Sequence, residues 1–130
     1  LCIEAGTDGF AVINTFVGMA VDIETRRPII GNNKGGLSGP AIKPLALAKV
    51  HTVYQVARTH NVPIIGQGGV CSADDAIEFI LAGASVVGVG TALFYDPLVC
   101  SRINLGIVEY LNRHGIGAVS ELTGGLILNT

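Results

Sequence analysis

Tryptophan is absent, and aromatic residues make up only 5% of the 130 positions. Charged residues are sparse at 14%, and the formal net charge is −2. No basic patch is interleaved with aromatics, so a nucleic-acid partner is not expected. Cysteine is limited to Cys2, Cys71 and Cys100. The odd count and the lack of any Cys-x-x-Cys argue against a disulfide scaffold or a zinc site, and fit a reducing, cytoplasmic setting. His51, His60 and His114 lie too far apart for ligand-like spacing. They are expected on helix surfaces, and no bound metal is expected. The longest uncharged run, Phe79 to Tyr95, is broken by Gly83, Gly88 and Gly90. It reads as a helix end, a turn and a buried strand rather than a membrane span. No basic stretch followed by an apolar core opens the chain, so no secretory leader is expected.

What is present is apolar residues, at 49%, and glycine, at 18 residues without a collagen-like period. The length is that of one domain. Leu1 to Ala5 reads as the last turn of a helix, with Gly6 as its cap. Because the chain opens there and without Met, it is expected to be an internal or C-terminal piece of a longer protein. Phe10-Ala11-Val12-Ile13 is a short apolar strand that ends in the polar pair Asn14-Thr15. Met19 to Ile30 reads as a β-hairpin excursion, and Gly31 to Pro40 as a glycine-rich loop. Pro44 suits the first turn of a helix reaching about His60. Val62-Pro63-Ile64-Ile65 is a second strand. Ser72 and Asp75 resemble a capping box for a helix over 73–82, which Gly83 stops. Ser85 to Val89 is a third strand. A last helix runs to about Arg113, with a short turn at Val119 to Leu122.

Strand and helix thus alternate three times. The strands are short and apolar, so they are expected to be parallel and covered on both faces. A doubly wound sheet and a (β/α)8 barrel both fit this order. The Gly-x-Gly-x-x-Gly fingerprint of a dinucleotide fold is missing. The barrel is the better reading, because barrels build a phosphate site from the loops after the seventh and eighth strands. Residues 1–130 are therefore expected to form a partial α/β barrel, its C-terminal portion from about strand six to strand eight.

Three glycine turns point the same way. They are Gly35 to Pro44, Gly66-Gln67-Gly68-Gly69 and Gly88-Val89-Gly90-Thr91. Glycine lets backbone N–H groups approach phosphate oxygens with no Cβ between, and helix N-termini add partial positive charge. Gly68, Gly69, Gly90 and Thr91 are the leading candidates, with Gly39 as a third approach; the alternative is that these residues only make tight turns. Asn14 and Thr15 either contact a substrate or cap a strand end. Lys43 reads as solvated more readily than as a phosphate ligand. Cys71 has no histidine beside it in sequence, so packing or a role at the helix start is the better reading. Arg26-Arg27 reads as a solvated hairpin tip.

From Glu4-Ala5-Gly6 to Glu121-Leu122 the chain resembles the dihydroorotate dehydrogenases, flavin enzymes of pyrimidine (UMP) synthesis with a (β/α)8 fold. The resemblance is densest at Ile13-Asn14-Thr15, Gly18-Met19-Ala20, Gly35 to Pro44, Pro63 to Gly69 and Ala82 to Thr91. Gly35 to Pro44 looks most like the NAD-linked class 1B branch. The resemblance implies FMN as cofactor. It implies that Ile13 touches the flavin, that Gly39, Gly68, Gly69, Gly90 and Thr91 hold it largely at its phosphate end, and that Asn14 and Thr15 hydrogen-bond the ring of dihydroorotate or orotate. The implied chemistry removes a proton from C5 and passes hydride from C6 to the flavin, and on to NAD through a partner subunit with FAD and an iron–sulfur cluster. A homo-oligomer is also implied. The family's cysteine base lies on a loop of the earlier barrel, so it is not assigned to Cys2, Cys71 or Cys100, and the segment alone is expected to be inactive. The flavin domain of a dihydropyrimidine dehydrogenase, reducing uracil or thymine, shares a similar Ser-Gly-Pro-Ala-Ile segment. A third reading is a catalytically incomplete barrel fragment.

Overall fold

A computed structural model describes residues 1–129. The first part of the chain supplies strands only: β1 (Phe10–Val12), β2 (Phe16–Gly18), β3 (Val21–Asp22), β4 (Arg27–Pro28) and β5 (Gly35–Leu37). Helix α1 (Lys43–Ala57), strand β6 (Ile64–Gln67), helix α2 (Ala73–Leu81), strand β7 (Val86–Gly88) and helix α3 (Val99–His114) follow. β1, β6 and β7 form one parallel sheet in that order, with Phe10 opposite Ile64 and Ile65 opposite Val86. The other strands make two small antiparallel ribbons, β2 with β5 and β3 with β4.

Local chemistry sets the boundaries. Pro44 sits in the first turn of α1, where its missing N–H costs nothing. Asn61 ends the following single turn in the left-handed region, at φ 56°. Ser72 Oγ accepts the Asp75 N–H while Asp75 accepts the Ser72 N–H, so the expected capping box forms with Asp in the usual Glu position. Gly115 closes α3 at φ 65°, with Arg113 and His114 in the last turn, where positive charge suits the helix dipole.

All the helices lie on one side of the sheet. α1 packs on β1 and β6, α2 on β6 and β7, and α3 on α2. The core between them centres on the fully buried Phe79, Ile64 and Val50. Gly66 lies beneath it: a Cβ there would sit 2.9 Å from the Phe79 ring and 2.7 Å from Ala84 Cβ.

The expectation of cover on both faces is therefore wrong. Ala11, Ile65 and Val86 are register neighbours in one row across the other face, and all are exposed. In a barrel that face is the inside, covered by strands on the far wall. These strands form an arc and do not close. The arc with helices outside it is a segment of a (β/α)8 barrel.

Two further differences concern boundaries. β6 begins at Ile64, later than the expected Val62. Gly35 to Leu37, expected to be loop, forms a ribbon with Phe16 to Gly18. Glycine disguised that strand, yet it is required at Gly36, where any Cβ would run into the Thr15 side chain. Among the described residues, no helix is long and apolar enough to cross a membrane.

Candidate functional site

Parallel strands all point their C-terminal ends the same way, so the loops after them meet. β1 runs into Ile13, Asn14 and Thr15; β6 runs into Gly68 and Gly69; β7 leads to Gly90 and Thr91. The loop after β5 adds Gly39. These eight residues, each proposed from sequence, line a single cavity of about 190 Å³. Ser38, Ile42, Gln67 and Gly88 line it too and were not foreseen. A larger hollow of about 570 Å³ between β7 and α3 is walled mainly by aliphatic side chains and follows the free edge of the sheet. Size alone would favour it, but the convergent polar groups are in the smaller cavity.

The glycines there differ in kind. Gly69 (φ 87°) and Gly39 (φ 87°) both need the left-handed region. A Cβ on Gly69 would lie 2.7 Å from the Gly39 carbonyl oxygen and 3.1 Å from the Lys43 nitrogen. A Cβ on Gly68 (φ 128°) would lie 2.9 Å from Ala46 Cβ. Backbone and core packing account for those glycines by themselves. Gly90 is unlike them: nothing lies within 4 Å of where its Cβ would be, and its φ is −118°. Neither packing nor φ requires glycine there, and the space beside it is open. Among the described residues, nothing accepts the backbone N–H of Gly69, Gly90 or Thr91, which leaves these donors available to an anion.

Hydrogen bonds tie the loops together. Thr91 Oγ1 donates to Ser38 Oγ at 2.9 Å. Asn14 Oδ1 accepts the Thr15 N–H at 2.8 Å, which fixes the amide and turns its NH₂ group to other acceptors. Ile13 and Gln67 bond reciprocally. The Ile13 N–H donates to the Gln67 carbonyl at 3.0 Å, and Gln67 Nε2 donates to the Ile13 carbonyl at 3.2 Å.

Two expectations need correction. The N-terminus of α2 is occupied by its own cap: Asp75 Oδ2 accepts the N–H groups of both Cys71 and Ser72 at 2.9 Å. That helix therefore offers the cavity little free dipole. Lys43 is paired rather than free in solvent. Its ammonium is 2.5 Å from Asp75 and 2.9 Å from Glu78, locking α1 to α2. Those hydrogen bonds, first to Asp75 and then to Glu78, raise the Lys43 pKa. Burial pushes the Asp75 carboxyl up, but the hydrogen bonds from Lys43, Cys71 and Ser72 outweigh it and hold it below the usual carboxylate range. No lysine or arginine is among the residues lining the cavity.

Cys71 sits at the start of α2 as expected, with Sγ 3.3 Å from the Tyr95 hydroxyl. That contact raises the Tyr95 pKa. Cys2 and Cys100 are exposed elsewhere. His60 and His114 are on the surface, but His51 of α1 is half-buried and lines a hollow with Glu78 and Leu81 of α2. Among the described residues, no group of three or more His, Cys, Asp or Glu side chains is placed to hold a metal.

Residues 2–111 match the dihydroorotate dehydrogenase family model. The chain is 54% identical over 125 residues to the dihydroorotate dehydrogenase B (NAD(+)), catalytic subunit, of Geotalea daltonii, covering 96% of this chain and 40% of that protein. The subunit of the same name from Porphyromonas gingivalis is 54% identical over 123 residues, covering 95% and 39%. The chain thus spans about two fifths of the length of these relatives. In structure it is similar to DHODH from Eimeria tenella in complex with ferulenol, with a TM-score of 0.78 and 33% identity, over 95% of this chain and 32% of that one.

Proposed function

The chain belongs to the dihydroorotate dehydrogenase family, and from that premise we propose that the whole protein oxidises dihydroorotate to orotate with bound FMN. Family membership makes it a flavoprotein oxidoreductase in kind; FMN, the substrate and the acceptor are the finer reading. The observation that carries this reading is the cavity at the ends of β1, β6 and β7, where phosphate-type and amide-type contacts meet.

The residues fit such a cofactor. Gly69, Gly90 and Thr91 present backbone N–H groups to its phosphate, with Gly39 and Gly68 giving the backbone room to approach. This is anion binding by backbone donors, since no basic side chain lines the cavity. Ile13 offers an apolar wall to the ring. Asn14 and Thr15 supply the donors and acceptors that match a planar pyrimidine. At about 190 Å³ the cavity is below the roughly 300–1,000 Å³ of complete small-molecule pockets. These residues are one wall of the site, and other parts of the barrel complete it.

When bound, the flavin supplies the hydride acceptor for C6 of dihydroorotate. This chain's own part is orientation. No cysteine here is assigned as the base, because Cys71 is held at the helix start and Cys2 and Cys100 are remote from the cavity. By analogy with relatives named as catalytic subunits, electrons pass to NAD(+) through a separate subunit carrying FAD and an iron–sulfur cluster. Homo-oligomerisation and a cytoplasmic location complete the proposal.

The test is an anaerobic visible spectrum of the full-length polypeptide before and after dihydroorotate. Bleaching of the flavin bands supports the reading. A flavin unmoved by dihydroorotate that, once reduced with dithionite, is reoxidised by uracil or thymine would move the assignment to the dihydropyrimidine branch. Absence of flavin in the folded protein would reduce the glycine turns to turns.

A further inference from the structure

Gln67 is the polar side chain in the cavity that neither the glycine turns nor the strand-end pair explains. It stands at the inward parity of β6, two residues after Ile65, where barrel interiors usually take branched aliphatic side chains. Its orientation follows from its partner. The Ile13 carbonyl can only accept, so the atom facing it at 3.2 Å must be the amide nitrogen. The amide oxygen is thereby turned away from Ile13 and lies over Gly88, where a Cβ would come within 2.8 Å of it. Among the described residues, nothing donates to that oxygen. A fixed acceptor without a donor therefore stands at the wall of the cavity, and β7 makes room for it by having no side chain at position 88.

Its place in the fold selects the donor. Gln67 directly precedes Gly68-Gly69, at the phosphate end of the site. Through Ile13 it is bonded to the residue that directly precedes Asn14-Thr15, at the ring end. We propose that Gln67 Oε1 accepts a hydrogen bond from a hydroxyl of the polyol chain joining phosphate and ring in the bound flavin, so that Gln67 is a cofactor-binding residue. This rests on the flavin reading above. A phosphate oxygen is the wrong partner, since two acceptors repel. A polyol hydroxyl supplies the missing donor, and a ligand reaching both ends must carry its linker past Gln67.

The experiment uses the full-length polypeptide with its natural partner chains, stripped of flavin and titrated with FMN by flavin fluorescence. Gln67→Met keeps the volume and removes the acceptor. FMN affinity is expected to fall by about 2- to 13-fold, the equivalent of one neutral hydrogen bond. Wild type and Gln67→Met are expected to bind alike an FMN analogue whose linker hydroxyls are replaced by hydrogen. Gln67→Asn draws the amide back by one methylene and gives the same pattern if Gln67→Met folds poorly. Equal weakening towards FMN and the analogue would make Gln67 a packing residue only and overturn the proposal. An unchanged FMN affinity with a raised KM for dihydroorotate would also overturn it, by assigning the acceptor to substrate. Wild-type protein that binds no FMN would instead refute the flavin reading itself, a separate outcome.

Discussion

Alanine at Gly90 and alanine at Gly69 are expected to fail in opposite ways. At Gly69, the φ of 87° forces an L-residue into the left-handed region, which costs about 1–2 kcal/mol. Its Cβ would also press on two backbone atoms, the Gly39 oxygen at 2.7 Å and the Lys43 nitrogen at 3.1 Å. Overpacking of that kind adds roughly 1–3 kcal/mol. The sum, about 2–5 kcal/mol, is a large share of the roughly 5–15 kcal/mol that holds a domain folded. At Gly90 nothing lies within 4 Å of the added methyl group and φ is −118°. Stability there is expected to change by less than about 0.5 kcal/mol. Binding is expected to suffer instead. On the flavin reading, the methyl group would enter the open space beside the Gly90 and Thr91 N–H groups, and each charge-assisted bond lost costs about 1.5–3 kcal/mol. That is a weakening of FMN binding by about 13- to 150-fold for one bond. Urea denaturation of the flavin-free, full-length polypeptide reads the first effect, and flavin fluorescence titration reads the second. Wild-type FMN affinity in Gly90→Ala would refute the assignment of that turn to phosphate. Unchanged stability in Gly69→Ala would refute the close packing of the Gly39 and Gly69 turns.

The Lys43 ion pairs set a pH window. Asp75 titrates below its unfolded value of about 3.9, so its stabilising contribution is present above that pH and is lost as pH falls through the depressed value. Lys43 titrates above its unfolded value of about 10.4, so its contribution is present below that pH and is lost as pH rises through the raised value. Lys43→Met is therefore expected to destabilise by about 1–3 kcal/mol at pH 7, between the surface and buried limits for such pairs. Wild type and variant should converge in denaturant midpoints as pH falls through the depressed Asp75 value; a gap that persists below it would mean that lost packing, not charge, is responsible. Separately, the 130-residue segment expressed alone exposes the inner row of Ala11, Ile65 and Val86 and both free edges of its parallel sheet. It is expected to self-associate or aggregate. Sedimentation as a single monomer that unfolds cooperatively would contradict this.

Much of the site was legible because its constraints are local. Gly39, Gly68 and Gly69 take backbone conformations that other residues rarely adopt, so their positions are visible in the chain as glycine. Asn14-Thr15 is visible because a polar pair interrupts an apolar run. Gln67 was missed for the opposite reason. It is embedded in Gly66-Gln67-Gly68-Gly69, where the glycines dominate the reading. The available signal was parity: two residues after inward-facing Ile65, a polar side chain stands on the barrel's inner face. Lys43 was misread because its partners, Asp75 and Glu78, lie more than thirty residues away and meet it only when α1 packs on α2. The strand at Gly35 to Leu37 was hidden because its glycine content signals a loop, while its pairing depends on Thr15 lying against Gly36.

The misjudged burial of the sheet has one cause, and it bears on how the site works. An apolar strand signals burial on both faces without saying what provides the cover. Here one cover is α1 and α2, and the other is the opposite wall of a barrel of which these strands are only a part. The cavity lies at the rim of that uncovered face: Gln67 follows Ile65 on β6, and Gly88 follows Val86 on β7, each two residues further along the same face. The inner row and the cavity lining are therefore one continuous surface. Whatever closes the barrel must also complete the pocket, so on the flavin reading cofactor affinity and barrel closure are expected to be coupled. Glycine turns fixed by packing, such as Gly68 and Gly69, can hold their shape before closure. Gly90 has open space around it and no such packing to hold it. On the flavin reading, the segment is therefore expected to carry one preformed wall of the phosphate site, with full affinity requiring the rest of the barrel.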